Sequence, residues 1–148
     1  MRELSTLSFA IDPLSDDKAV LSITPIVNGV RLTALVEDFE SKQNYEPVGG
    51  YAGIVPSQCN FGPLDQYFLA SGAAPFADKH WLLGCECGEA GCWPLAASIY
   101  VGEREVIWQN FNQPFRPERD YSSFGPFIFD RNQYRQYVEE LAKAFPAK

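Results

Sequence analysis

The stretch Gly84-Cys85-Glu86-Cys87-Gly88-Glu89-Ala90-Gly91-Cys92-Trp93-Pro94 decides how the rest of the chain is read. It holds three of the four cysteines, and apolar, strand-like segments flank it at 79–84 and 95–101. As a tight glycine-rich turn it is a corner between two strands, with small reduced cysteines packed like hydrophobes. As a metal site, Cys85, Cys87 and Cys92 converge on zinc, with His80 or Cys59 as the fourth ligand. The spacing is C-x-C-x4-C rather than the paired C-x2-C of common structural zinc sites, so the corner reading leads. A reactive thiol needs a lowered pKa and a nearby base. His80 is the only histidine, and on an extended strand its five-residue separation from Cys85 is beyond hydrogen-bond reach. It reads as a strand-end residue with an ordinary hydrogen bond. Glu86 and Glu89 read as solvated carboxylates.

Beyond the corner, Leu95, Ala97, Ile99 and Val101 alternate with Ala96, Ser98 and Tyr100, the period of a half-buried strand. Gly102-Glu103 suits a type II′ turn, with a return strand over 105–111. Toward the N-terminus, residues 4–39 read as a three-stranded antiparallel meander. Leu7, Phe9 and Ile11 alternate with polar or small residues, and 13–17 supply turn chemistry. A second strand covers 20–27. Asn28-Gly29 then suits a type I′ turn, and Val30, Leu32, Ala34 and Val36 alternate as a third strand. From 40 to 78, glycines and prolines break any long element, leaving an aromatic-pinned loop and a short helix near 63–69 with Pro63 at its first position. Near the C-terminus, 127–129 reads as a short strand. Asp130 and Gln133 form a capping box for a helix over 131–145, with Tyr134, Val138, Leu141 and Phe145 on one face. Trp81, Trp93 and Trp108 read as core.

The expected fold is therefore a single α+β domain spanning 1–148, with largely antiparallel sheets of five or six strands, a long irregular loop and a C-terminal helix. At 148 residues the chain is long enough to bury a real core without staples. Its formal charge of −7 argues against nucleic acid, whose binding needs Lys and Arg against phosphate. The same charge favours a protein partner with a basic surface. There is no apolar run long enough for a membrane helix, and Leu4–Ile11 is interrupted by serine and threonine where a signal peptide would be apolar. The expectation is a cytoplasmic protein with no membrane partner, whose thiols stay reduced.

One further cluster carries candidate contacts. Arg116, Glu118, Arg119, Asp120 and Tyr121 are framed by Pro114, Phe115 and Pro117. Arg and Tyr are favoured at protein-binding hot spots, and proline stiffens the loop that presents them. The competing reading is an internal ion-pair network tying this loop to the sheet. No phosphate loop, serine elbow, H-E-x-x-H or EF-hand spacing occurs, so an enzyme reading has no motif behind it.

The order L-L-G-C-x-C-G-x-x-G-C-W-P (82–94), V-I-W-x-x-F (106–111), a Pro/Arg loop and F-G-P-F-x-F-D-R-x-x-Y (124–134) resembles a family of bacterial proteins with no known activity. That resemblance implies a bacterial, cytosolic, single-domain protein and assigns no functional residue. Small acidic bacterial proteins include toxin-neutralising immunity proteins, an analogy of class only. The expected function is a non-enzymatic protein-binding module, immunity-like in character, without a cofactor. The alternatives are a zinc protein using Cys85, Cys87 and Cys92, and a small-ligand binder or enzyme with a pocket beside residues 40–78.

Overall fold

The computed structural model describes residues 4–14, 17–46, 48–55, 63–70, 79–85, 94–114, 116 and 118–144, without the side chains of 14, 17–20 and 85. Among these, two antiparallel sheets and three helices form an α+β fold, as the sequence implies. The first sheet joins β1 (Leu7–Leu14), β2 (Asp17–Val27) and β3 (Val30–Arg31) in that order. The second runs β4 (Tyr51–Ala52), β5 (His80–Cys85), β6 (Leu95–Val101), β7 (Glu105–Asn112) and β8 (Phe127–Asp130).

The β2–β3 turn follows from its residues. Asn28 and Gly29 both take positive φ, 54° and 80°, as a type I′ turn requires. Asn28 also anchors the chain leading into β1. Its backbone N–H donates to the Thr6 carbonyl, and its side-chain oxygen accepts the Thr6 N–H at 2.9 Å.

The third strand of the expected meander stops after two residues. From Leu32 the chain is helical, as α1 (Leu32–Lys42). The alternation of Val30, Leu32, Ala34 and Val36 coexists with a second pattern, Leu32, Leu35, Val36 and Phe39, at helical spacing. Ala34, Leu35, Glu37, Glu40 and Lys42 are good helix formers, and tertiary burial of Leu32, Val36 and Glu40 decides for the helix.

Residues 47, 56–62 and 71–78 of the expected 40–78 loop lie outside the described residues, and the described remainder is partly regular. It holds the end of α1, strand β4 and the short helix α2 (Leu64–Phe68), with Pro63 at its N-cap rather than its first helical position. The 102–104 turn also differs from expectation. Gly102 lacks the positive φ of a type II′ turn, and its N–H donates to the Glu105 carbonyl across a three-residue loop.

Among the described residues, the two sheets are stitched together at two places. Ile23 of β2 and Ile54 exchange both backbone hydrogen bonds, at 2.8 and 2.9 Å. Ser5 bridges to Phe129 of β8 in parallel. The first stitch depends on Gly53, where a Cβ would sit 2.3 Å from the Ile23 carbonyl oxygen.

One hydrophobic core spans both sheets and the helices, with Leu7, Ile23, Val36, Leu82, Trp108 and Val138 among its members. Helix α3 (Arg131–Ala144) packs on α2 and β1. The Gln133 N–H donates to the Asp130 carboxylate at 3.0 Å, one half of the expected capping box, and Tyr134, Val138 and Leu141 are its buried face, while Phe145 lies outside the described residues. Tyr134 accepts the Trp108 indole N–H at 3.0 Å and donates to the Phe68 carbonyl, tying α3 to β7 and α2. Tyr67 fixes α2 to β5 by donating to the Trp81 carbonyl and accepting the Trp81 N–H.

Candidate functional site

Glu40 sits on the inward face of α1, one turn beyond Val36, and is fully buried. A buried carboxylate is tolerable only when charge-paired and hydrogen-bonded. Glu40 has both. Its Oε1 accepts the Gly49 N–H at 2.9 Å. Its Oε2 accepts the Tyr51 hydroxyl at 2.7 Å and the Tyr121 hydroxyl, and it pairs with Arg119 Nη1 at 3.2 Å. Arg119 also donates to the Tyr121 hydroxyl, and its guanidinium lies over the Tyr45 ring, 5.1 Å from the centroid. Tyr45 completes the frame: its hydroxyl donates to the Asp120 carbonyl and accepts the Asp120 N–H. Helix α1, the chain into β4 and the 113–121 loop are thus fixed to each other through one buried carboxylate.

The electrostatics follow from this geometry. Burial, then the hydrogen bonds with Tyr121 and Glu40, hold the Tyr51 phenol well above its ordinary range. Burial and the bond to Glu40 likewise raise Tyr121. Burial works against the charge on Arg119, but its hydrogen bond to Tyr121 and the negative charge of Glu40 outweigh it, so its pKa rises. Arg116 goes the other way, lowered by burial and by the neighbouring Arg119.

Over this network lies an open cleft of about 450 Å³ lined by Asn44, Tyr45, Glu46, Arg116, Glu118 and Arg119. Its two walls are the connection from α1 to β4 and the 113–121 loop. Three residues of the predicted contact cluster, Arg116, Glu118 and Arg119, therefore meet in one cavity. Asp120 is exposed, and hydrogen bonds from the Ser122 side chain and from the Ser122 N–H, the latter at 2.9 Å, lower the pKa of its carboxylate. Tyr121 is buried in the Glu40 network instead of facing a partner. The internal network is also present, and its anchor is a helix residue.

Sequence reasoning gave no role to Glu40, Asn44 and Glu46, and took Tyr45 and Tyr51 only as aromatics pinning the 40–78 loop. A signal for Glu40 existed: Leu32, Val36 and Glu40 are spaced four apart, so a helix reading puts a carboxylate on an apolar face. A charge in that position calls for a buried partner. Read as a strand, the segment hid it.

The corner that opened the sequence reading connects antiparallel neighbours β5 and β6. Cys59, Glu86, Cys87, Glu89, Cys92 and Trp93 lie outside the described residues, as does the side chain of Cys85. Among the described residues, no group of three His, Cys, Asp or Glu is arranged to hold a metal ion. His80 is buried against the Tyr67 ring, centroids 4.8 Å apart, and its Nδ1 has no hydrogen-bond partner among the described residues. No helix among the described residues is long and apolar enough to cross a membrane. Comparisons with protein families, with curated proteins and with solved structures found no match.

Proposed function

We propose that this chain is a protein-binding module whose contact surface is the cleft between the α1–β4 connection and the 113–121 loop. The observation that carries the reading is the convergence of Tyr45, Arg116, Glu118 and Arg119 on one cavity held by the buried Glu40 network. Arg and Tyr dominate binding hot spots, and groups already held in place lose little entropy on binding. The exposed Glu46 and Glu118 that line it, with the overall charge of −7, favour a partner with a basic surface. A small acidic protein that neutralises a basic toxin would use such a surface, by analogy of class. Membership in the bacterial family suggested by the 82–94 and 124–134 blocks belongs to the same proposal.

The test is capture from a lysate of the source cells at low salt, with wild-type protein and a Glu46→Lys, Glu118→Lys variant. Both positions are exposed, so the variant keeps the fold. The reading predicts a stoichiometric partner on the wild type, lost by about tenfold or more on the variant, as like charges now face each other. A wild type that retains no partner, or a variant that retains it equally, contradicts the reading.

A further inference from the structure

Among the described residues, strand β1 has a neighbouring strand on one side only from Leu7 onward. Its register fixes which backbone groups face the open side. Ile23 exchanges both backbone bonds with Ile54, so its N–H and carbonyl point away from β1. Ile11 lies opposite Ile23, and in an antiparallel ladder the two residues of such a pair turn their groups away from each other. By the same alternation the N–H and carbonyl of Phe9 and of Ile11 face outward, without a backbone partner among the described residues. Ser5 shares that orientation and uses it, donating its N–H to the Ile128 carbonyl of β8. Pro13 shares it too, so the donor it lacks is one that the β1–β2 ladder never needs. Solvent reaches this edge: Ile11 is 43% exposed and Pro13 is exposed. A row of unpaired donors and acceptors of this kind is a template for another strand.

We propose that the strand it takes is β1 of a second copy of this chain, paired antiparallel about a two-fold axis at Ala10. The sequence Ser8-Phe9-Ala10-Ile11-Asp12 is complementary to itself in that register. Phe9 meets the partner's Ile11, and Ile11 meets the partner's Phe9, each pair exchanging two backbone bonds through the outward groups. The same two pairs set a β-branched side chain beside an aromatic ring, a favourable cross-strand contact. Asp12 is the one charge in the segment, and it meets the partner's Ser8 instead of a second carboxylate. The adjacent registers of the same orientation are worse. An axis at Ile11 sets Phe9 against the partner's Pro13, which has no N–H to give. An axis at Phe9 sets Ile11 against Leu7, which is buried close to the bridge between Ser5 and β8. None of the residues lining the cleft lies on β1, so the dimer stands apart from the protein-binding reading.

The experiment is sedimentation equilibrium of the full chain under reducing conditions, between about 1 μM and about 1 mM. The inference expects a monomer–dimer equilibrium within that range, as a small interface gives. Ile11→Pro deletes one outward donor from each copy and should weaken the dimer by about tenfold or more. Ile11→Lys, which places a charge on the edge, should weaken it by a similar factor. Neither change removes a β1–β2 backbone bond, so the lysine variant keeps the test open even where the proline variant folds poorly. The register is read by oxidising Ala10→Cys and, separately, Ser8→Cys. Across the axis Ala10 faces its own copy as a non-hydrogen-bonded pair, within disulfide reach, whereas Ser8 faces Asp12. A covalent dimer is therefore expected from Ala10→Cys alone, with the link mapped by peptide analysis against the four native cysteines. A chain that stays monomeric to about 1 mM overturns the inference, whether or not its edge captures a foreign strand. So does a dimer that both Ile11 variants keep, or one that links through Ser8→Cys and not through Ala10→Cys.

Discussion

Glu40 and His80 show how differently two buried polar side chains can be provided for. Four donors surround the Glu40 carboxylate, so the cost of removing it from water is offset by charge and hydrogen bonds. His80 Nδ1 has no partner among the described residues, and burial lowers the His80 pKa below the ordinary 6.5. The folded state therefore disfavours the imidazolium, while the unfolded chain protonates normally. As pH falls below about 6.5 the unfolded state binds a proton that the folded state does not, so stability falls with pH in that window. Because the chain has one histidine, the slope can be assigned. Urea unfolding at pH 7.5 and 5.5 should show the wild type losing about 1 kcal/mol, and His80→Phe losing clearly less. Parallel losses in the two proteins would place the titrating group elsewhere.

At the scale of elements, legibility followed the number of independent signals in each segment. The C-terminal helix had a capping residue, Asp130, and a periodic face, and the described Tyr134, Val138 and Leu141 are buried as that face requires. The Asn28-Gly29 turn was legible because few other residue pairs accept two positive φ angles. Segment 32–42 was misread because period 2 and period 3.6 overlap over a few residues, and the deciding contacts come from distant parts of the chain. The same misreading concealed Glu40 and with it the anchor of Arg119, although three residues lining the cleft were named from sequence. The stitch between the sheets was illegible for a related reason: Gly53 looked like one more loop breaker, whereas it admits the Ile23 carbonyl where a side chain would clash. Gly53→Ala should destabilise by roughly 1–3 kcal/mol, the cost of overpacking, read as a shift in urea midpoint with unchanged slope. A midpoint equal to the wild type would mean that the two sheets do not meet there.

For the whole molecule, the consequence is that its surface chemistry is set from inside. The 113–121 loop carries Arg116, Glu118 and Arg119 of the cleft lining, and its Arg119 is held by a carboxylate 79 positions away in the sequence. The cleft exists in its present shape because α1, the approach to β4 and that loop share one ionic anchor. The most direct test is a double-mutant cycle on Glu40→Gln and Arg119→Met, with each stability taken from urea unfolding. The account predicts that the two losses fail to add, with a coupling energy of about 1–3 kcal/mol, as expected for partners in one buried network. Losses that add to within about 0.5 kcal/mol would show the two residues acting independently and would contradict it.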